Sequence, residues 1–467
     1  MKNFKSEWFP SLIVFILLIS LALMGIINEK YKLFLIVILP ALFSVFHMLK
    51  NKINYFLFFI FIISVQFPLI EMKFQFVPTQ IFITVFALYL IGTNRNSINS
   101  ILKMDSFPYL LFLIGGFATV LFGGERFTFW FSTCVIPFSL LLVIGYVGEH
   151  DDIFKKILLM VIFSILLYLF FMWLSNQLGT AIDLSPNSAE WRKGSQKIIL
   201  GPISITTWAT NLGTLMAITL PLIFSFCINE KTNIREKIFY WVVLILFLYN
   251  LIAAATRGPL IATFSGMLLT FLLKSKKLNI KTMIIVICVI LVLYFLSSVD
   301  FTFINLTKNI ERLNTLQGGA ISHIDNFEHR MDVLKITSRL ILQYPLGVGH
   351  GYLWFKYGID EVIVYSMLLT GTGIIGFVGF ILIIISSILN LIRSYTWGNR
   401  AHESHDLSVI GLATILSGLL CGFSSESIVV DPINSFVFFT IILTCVCYKK
   451  RHPFSIPKTT KSAPLKV

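Results

Sequence analysis

The sequence alternates between long apolar stretches and short polar connectors. Many of the apolar stretches reach the roughly 17–25 residues that an α-helix needs to cross a bilayer, and none has the alternating pattern of a barrel strand. We therefore expect an all-α polytopic membrane protein with about 12–14 transmembrane helices. The candidate spans lie near residues 9–28, 33–49, 53–70, 75–92, 107–122, 129–148, 157–175, 203–227, 238–255, 259–273, 282–299, 362–392, 407–422 and 433–448.

One long polar segment, residues 300–361, interrupts this pattern. Loops of this length inside a compact protein are usually functional or disordered, and this one holds enough apolar residues to fold back against the protein. We interpret it as a working loop. The predicted organisation is N-terminal membrane helices over 1–299, the loop over 300–361, C-terminal membrane helices over 362–448 and a basic tail over 449–467.

The loop contains a predicted amphipathic helix over Asp325 to Tyr344. Phe327, Leu334 and Ile341 recur every seven residues and share one stripe. Charged residues also recur at three- and four-residue steps and form a polar face: Glu328, Asp332, Lys335 and Arg339. This spacing is typical of a solvent-exposed helix surface whose charged side chains pair with one another.

Arg330 breaks this order because it falls on the apolar stripe between Phe327 and Leu334. A cation turned toward the core or the membrane needs an anionic partner. The partner is either a bound anion or a protein carboxylate such as Glu361 or Glu426.

Composition and charge place the protein in a membrane. The chain has 467 residues, of which 56% are hydrophobic and 13% charged, whereas soluble domains carry about 25% charged residues. The net charge of +14 lies in short loops and the C-terminal tail, as the positive-inside rule requires. No basic stripe with interleaved exposed aromatics is present, so nucleic acid is not an expected partner.

Alternation from a cytoplasmic N-terminus puts both termini in the cytoplasm and the 300–361 loop outside. The first apolar segment lacks a small-residue cleavage site and is expected to be a retained helix. Basic residues also collect on the predicted outer face, at Arg192, at Arg257 and in the long loop at Arg312 and Arg330. Because the topology rule does not explain them, we expect an anionic ligand on that face.

Arg257 stands in a Thr256-Arg257-Gly258-Pro259 turn between two spans. Gly258 permits a tight turn, and Pro259 suits a helix start. Free backbone N–H groups and the positive end of the helix dipole would then lie beside a guanidinium that binds phosphate oxygens in pairs. The alternative is an interfacial arginine that extends to water or caps a neighbouring helix.

The loop ends in a glycine-rich run, residues 345–351. Its glycines, Gly349 among them, would let backbone approach a bulky ligand, and His350 is a candidate acid or base. Glu361 stands at the mouth of the next span, where it would activate a hydroxyl or simply favour the helix N-terminus. No strand precedes the glycines, which excludes a dinucleotide fingerprint.

Other potential ligands indicate no metal or cofactor. The His402 to His405 pair falls in a predicted basic cytoplasmic loop and is expected to face solvent. Six cysteines lie in or beside apolar segments without metal or redox spacing, so they are expected to be packing residues. They are Cys134, Cys227, Cys288, Cys421, Cys445 and Cys447.

Over roughly residues 200–395 the sequence resembles the O-antigen ligase and polymerase superfamily of bacterial membrane glycosyltransferases. The matching motifs are the Thr256-Arg257-Gly258 turn, Arg330 ahead of the Pro345-Leu346-Gly347-Val348-Gly349 run, and Tyr365 leading into Gly373 and Gly376. The resemblance implies a GT-C-like fold in the bacterial cytoplasmic (inner) membrane. It also implies metal-independent transfer of an undecaprenyl-diphosphate-linked glycan, with a flippase and a chain-length regulator as partners.

The ligase branch of that family has a His-Asn pair just before this tyrosine, where the present sequence has Val362 and Ile363. The resemblance therefore favours a repeat-unit polymerase for O-antigen, capsule or exopolysaccharide over a ligase. On this hypothesis the arginines hold the diphosphate, Glu361 or His350 takes the acceptor proton, and Gly349 and Tyr365 contact substrate. A flippase for the same lipid-linked oligosaccharide and a structural assembly protein are the competing classes.

Overall fold

The computed structural model describes residues 83–84, 87–88, 91, 95–123, 127–147, 153–177, 209–229, 232–253, 257–274, 321–350, 352–357, 363–397, 403–423, 428 and 432–451. Every regular element in these residues is helical. The α-helices are α1 (Arg95–Ala118), α2 (Phe127–Trp130), α3 (Ile136–Val147), α4 (Ile153–Gln177), α5 (Ala209–Cys227), α6 (Ile234–Ala253), α7 (Arg257–Lys274), α8 (Ile321–Gln343), α9 (Tyr352–Tyr357), α10 (Val364–Trp397), α11 (Glu403–Gly422) and α12 (Pro432–Arg451). Two π-helical segments, π1 (Thr119–Gly123) and π2 (Phe131–Val135), flank α2.

Three of these helices contain apolar stretches long enough to cross a membrane: Ser106–Gly123, Val364–Thr396 and His405–Gly422. Shorter apolar helices cover Thr133–Tyr146, Asn211–Cys227, Gly258–Lys274 and Asn434–Cys447. The all-α membrane fold predicted from the apolar pattern is confirmed. The predicted spans at 9–28, 33–49, 53–70 and 282–299, and most of 75–92, lie outside the described residues.

Helices α1 and α10 pack side by side over much of their length. Small residues make this possible, since a Cβ built on Gly379 would lie 2.4 Å from the backbone nitrogen of Phe112. Close approach of backbones through glycine is a common way for membrane helices to associate.

The order of contacts along α11 shows that it runs antiparallel to both α7 and α10. Ser417 donates to the carbonyl of Ala262 in α7 at 3.0 Å, and Tyr365 at the start of α10 donates to the carbonyl of Leu419 at 3.0 Å. Lys274 at the end of α7 pairs with Asp406 at the start of α11. The first residues of α7 and α10 therefore both lie at the Gly422 end of α11.

A buried polar cluster joins the helices at the opposite end, which we call the Lys274 end. Lys274 Nζ lies 3.1 Å from Asp406 and donates to the carbonyl of Ser225 at 2.9 Å. Asn229 donates to the second oxygen of Asp406 at 3.0 Å. These contacts tie the ends of α5 and α7 to the start of α11.

The prediction that the His402 to His405 pair faces solvent is wrong for His405. Helix α11 begins at Glu403, so His405 lies in its first turn and is only 7% exposed. Its ring centroid lies 4.6 Å from that of Tyr395 in α10. The sequence-based topology treated the segment as a loop and so missed this packing. His402 lies outside the described residues.

The interior is apolar with hydroxyl groups that bond to their own helices. Thr219 and Thr263, for example, donate to the carbonyl four residues earlier, which satisfies a buried hydroxyl without a partner helix. The described cysteines are buried and form no disulfides, as predicted for packing residues. They are Cys134, Cys227, Cys421, Cys445 and Cys447.

Candidate functional site

Helix α10 is interrupted at Gly373, where φ is 64° and ψ is −174°. The interruption lies about 13 Å along the helix from Val364, its first residue. In a continuous helix the amide of Ile374 would donate to the carbonyl of Thr370. The break separates these two groups, and both then need other partners because unsatisfied backbone is costly in a membrane interior.

The glycine-rich end of the loop supplies both partners. The amide of Ile374 donates to the carbonyl of Pro345 at 2.9 Å. The carbonyl of Thr370 accepts from the amides of Val348 and Gly349, each at 3.0 Å. Backbone hydrogen bonds thus attach the loop to the broken helix, and the groups freed by the break are satisfied.

Glycine is required on both sides of this junction. Gly347 and Gly349 each have φ of 95°, a conformation that other residues rarely adopt. A Cβ on Gly347 would lie 2.6 Å from the carbonyl oxygen of Thr370, and one on Gly373 would lie 2.5 Å from the carbonyl carbon of Leu346. The glycines predicted to approach a ligand therefore also allow the loop to contact α10, and the amide of Gly349 is used in that contact.

The other side of the loop packs against the hairpin tip, by which we mean residues 119–123, which form π1, together with residues 127–131, which form α2 and the first residue of π2. The hydroxyl of Thr119 donates to the carbonyl of Leu346, and a Cβ on Gly123 would lie 2.8 Å from the carbonyl oxygen of Gly347. Single-turn π-helical segments occur frequently at functional sites. Here the segment brings Thr119 and Gly123 against the same loop.

His350 lies against the hairpin tip. Its imidazole stacks on the ring of Phe129, with centroids 4.8 Å apart and planes 9° from parallel. Phe129 is buried, at 7% exposure. His350 is the one candidate acid or base from the sequence whose side chain the structure describes, and it lies beside α10 at the interruption.

Helix α8 confirms the amphipathic helix predicted for Asp325 to Tyr344. From residue 331 onward, where its side chains are described, the buried positions are Val333, Thr337 and Leu340. They lie one residue away from the predicted stripe, whose members Leu334 and Ile341 are half-buried. The two sets are adjacent on a helix because residues three and four apart share a face.

Two contacts of α8 define its faces. Thr337 shares a buried hydrogen bond with Ser366 of α10, which fixes the inner face. The predicted self-paired polar surface is confirmed by an exposed ion pair between Lys335 and Asp332, at 3.0 Å.

The backbone of α8 sets the position of Arg330. After the Thr337–Ser366 contact the chain continues to Pro345, which bonds to Ile374, so α8 runs from the start of α10 toward its interruption. Arg330 precedes Thr337 by about two turns and lies on the same face. It is therefore placed beyond the first turn of α10, at the Gly422 end of α11.

Arg257 is the first residue of α7, and α7 also begins at the Gly422 end. The backbones of Arg257 and Arg330 thus lie at one end of the bundle, and the His350 loop contacts α10 about 13 Å along that helix from its first residue. The side chains of the two arginines are outside the described structure, as are residues 192, 312 and 361 entirely. The roles of Arg192, Arg312 and Glu361 stay predictions.

Tyr365 has a defined structural contact. Its hydroxyl donates to the carbonyl of Leu419, and its ring lies 4.8 Å from that of Phe423. It joins the start of α10 to the end of α11.

Among the described residues, no three His, Cys, Asp or Glu side chains group as metal ligands.

Sequence reasoning missed the hairpin tip. Thr119, Gly123 and Phe129 lie far from the loop in sequence, and no local pattern shows which backbone they contact. The available signals were the glycine pairs 115–116 and 123–124, followed by the aromatic residues in 127–131. Such a run between two spans is also typical of an interfacial aromatic belt.

Comparison with known families found one match: the family model described as O-antigen ligase matches residues 242–367. The matched segment contains all of α7, α8 and α9 and ends shortly after Tyr365. Searches of the curated proteins and of the solved structures gave no match. The match confirms the resemblance to the O-antigen ligase and polymerase superfamily, and with it a role in glycan transfer during polysaccharide assembly.

Proposed function

We propose that this membrane protein, whose residues 242–367 match the family model described as O-antigen ligase, is a glycosyl-transfer enzyme of polysaccharide assembly and, more specifically, a repeat-unit polymerase. It joins undecaprenyl-diphosphate-linked oligosaccharide units into a surface polysaccharide on the outer face of the bacterial cytoplasmic membrane. The donor is a lipid-linked glycan and the acceptor is a sugar hydroxyl of another repeat unit.

One observation supports this proposal: the backbones of Arg257 and Arg330 lie at one end of the bundle, and the loop that holds His350 is attached to the interrupted helix α10 about 13 Å from the first residue of that helix. Two guanidiniums at the rim of a bundle suit a diphosphate, because each binds phosphate oxygens in pairs. A histidine in the attached loop provides a proton acceptor. The arrangement therefore supports glycosyl transfer from a diphosphate donor.

In the proposed reaction the acceptor hydroxyl oxygen attacks the anomeric carbon of the donor glycan. The new glycosidic C–O bond forms as the C–O bond to the diphosphate breaks, and the electron pair of the broken bond leaves on undecaprenyl diphosphate. The hydroxyl proton passes to His350 or Glu361. Arg257 and Arg330, assisted by Arg312, stabilise the charge that develops on the leaving diphosphate. The proposed reaction uses no metal ion.

A polymerase is favoured over a ligase by Ile363. This position and Val362 correspond to the His-Asn pair of the ligase branch, and Ile363 is 2% exposed. A buried isoleucine has no group that takes a proton, so this position serves packing. The acceptor of a polymerase is a second lipid-linked repeat unit rather than a separate glycolipid.

The test is reconstitution of the purified protein with an undecaprenyl-diphosphate-linked repeat unit, with products separated by size. We expect a ladder of lengths from the wild type and loss of the ladder from Arg257→Ala and from Arg330→Ala. Arg339→Ala is the matched control, because Arg339 lies exposed on the same helix as Arg330.

Three results would contradict the proposal. Wild-type ladders from both Arg257→Ala and Arg330→Ala would show that these arginines do not bind the diphosphate. A single transfer to a different acceptor would show a ligase. Movement of the lipid-linked unit across the bilayer without any new glycosidic bond would show a flippase.

A further inference from the structure

An aromatic contact joins the hairpin tip to His350. The ring of Phe129 stacks face to face on the imidazole, with centroids 4.8 Å apart and an angle of 9° between planes. Aromatic stacking of this kind contributes about 0.5–1.5 kcal/mol beyond the burial of area. It also fixes the plane of the imidazole, which rotates about two side-chain bonds when nothing holds it.

Phe129 is itself held firmly. It is 7% exposed, and the next residue, Trp130, donates its indole N–H to the carbonyl of Leu113 in α1 at 2.9 Å. The ring of Phe117, in α1, lies 5.1 Å from that of Trp130. Helix α2 is thus anchored to α1, and Phe129 offers a fixed face to the histidine.

The backbone of His350 is fixed independently, from the side of α10. The preceding residue, Gly349, donates its amide to Thr370 at 3.0 Å, and the amide of Tyr352 donates to the carbonyl of Gly349 at 3.4 Å. With the main chain held by α10 and the ring plane held by Phe129, the orientation of the imidazole is set by two separate parts of the protein.

The geometry of the stack suits a proton acceptor. The lone pair and the N–H of an imidazole lie in the plane of the ring, whereas Phe129 covers a face. A face contact orients the ring without using either nitrogen. Proton transfer is sensitive to such orientation, since the donor and the acceptor have to lie within hydrogen-bonding distance and in line.

We propose that Phe129 is a positioning residue for His350, so that this residue of the hairpin tip is part of the transfer site although it lies outside the matched segment at 242–367. This inference rests on the proposed function for the chemistry of His350. Phe129 acts through the histidine, by holding the imidazole edge toward the acceptor hydroxyl.

The first test is a double-mutant cycle. Phe129→Leu removes the ring but keeps an apolar side chain. We expect kcat for the purified lipid-linked repeat unit to fall about 10- to 100-fold, as for a misplaced catalytic group, with KM changed much less. In the His350→Gln background the same substitution should have no further effect. Equal losses of rate in the two backgrounds would overturn the proposal.

Two variants separate positioning from folding. Phe129→Tyr keeps the ring and should retain most of the wild-type kcat. Phe127→Leu is the matched control, because Phe127 lies on the same short helix and is 51% exposed. It should leave kcat near that of the wild type, and a loss equal to that of Phe129→Leu would show a general effect of α2 rather than positioning.

The second test does not depend on activity. Diethyl pyrocarbonate modifies imidazole nitrogens, and mass spectrometry gives the modification rate of His350 in the intact purified protein. We expect a faster rate in Phe129→Leu and an unchanged rate in Phe127→Leu. If His350→Gln keeps the wild-type ladder, His350 is not the proton acceptor. The modification rates would still report whether Phe129 holds the imidazole. Equal modification rates in wild type and Phe129→Leu would show that Phe129 does not hold the ring.

Discussion

Gly115 of α1 lies so close to Gly376 of α10 that a Cβ on Gly115 would stand 2.1 Å from the Gly376 amide nitrogen. The obstacle is backbone rather than a movable side chain, so the two helices would have to separate. This contact fixes the distance between the hairpin tip and the interrupted helix, and the loop with His350 lies between them.

Gly115→Leu is therefore expected to destabilise the protein by about 1–3 kcal/mol, the usual cost of overpacking, and to lower the rate of glycan transfer. Thermal unfolding in detergent measures the first effect. Ile114→Leu is the control, since Ile114 precedes Gly115 on α1 and is 55% exposed. An unchanged unfolding midpoint for Gly115→Leu would contradict the tight contact.

Gly373→Ala tests the interruption of α10. Alanine at the φ of 64° and ψ of −174° found here costs about 1–3 kcal/mol in backbone conformation alone, because this region is essentially confined to glycine, and its Cβ would meet the carbonyl of Leu346. We expect a lower unfolding midpoint and faster hydrogen exchange at the amides of Val348 and Gly349, because their acceptor on Thr370 moves away.

Thr396→Ala is the comparison for that measurement. Thr396 is exposed near the end of the same helix, and its hydroxyl bonds only within its own helix. Its substitution should leave exchange at residues 348–349 as in the wild type. If the amides of Val348 and Gly349 exchange as slowly in Gly373→Ala as in the wild type, attachment of the loop to α10 does not depend on the interruption.

The sequence predicted those features that depend on local periodicity. Helix α8 and the apolar helices were predictable because side chains that share a face recur every three or four residues. The sequence also predicts an anion site at Arg257 and Arg330, because they are cations where the topology rule does not require them, and this site stays a prediction.

The contacts that build the site were not predictable, for a physical reason. Pro345 and Thr370 contribute backbone carbonyl groups, which are chemically the same in every residue. Their residue types therefore do not identify them as hydrogen-bond partners. Phe129 and Thr119 are ordinary residues whose partners are distant in the chain. His405 lies two residues before the predicted start of the span at 407 and was therefore assigned to the preceding loop. Helix boundaries vary by about that many residues.

The Lys274–Asp406 ion pair provides a prediction for the opposite end of the bundle. The side chain of Lys274 is 9% exposed and that of Asp406 is 32% exposed. Asp406→Leu leaves a buried ammonium without its carboxylate, and we expect a loss of about 3 kcal/mol, the lower end for a broken buried pair. Removal of both charges in Lys274→Met with Asp406→Leu should restore much of the stability.

The exposed pair of Lys335 with Asp332 gives the reference. Its side chains are 64% and 62% exposed, and Asp332→Ala should change stability by less than about 1 kcal/mol. Unfolding midpoints of these three variants and of the wild type, measured in one detergent, make the comparison. If Asp406→Leu costs no more than Asp332→Ala, the buried cluster does not stabilise the bundle.

The buried hydrogen bond between Thr337 and Ser366 links the amphipathic helix to the membrane body, and through it to the proposed diphosphate site. Both side chains are essentially buried, at 1% and 0% exposure. Thr337→Val keeps the shape but leaves the Ser366 hydroxyl without this partner, which costs about 1–3 kcal/mol. Ser366→Ala added to Thr337→Val should recover part of that loss, because two apolar groups then meet.

The functional expectation for these variants follows from the path of α8. Arg330 lies about two turns before Thr337 on the same face, so a loosened α8 lets the arginine move relative to the start of α10. Thr337→Val should therefore raise the KM for the lipid-linked donor more than it lowers kcat, and the double variant should return KM toward the wild-type value. Ser338→Ala is the control, since Ser338 is exposed and bonds within α8. Equal KM values for Thr337→Val and Ser338→Ala would show that this contact does not set the position of Arg330.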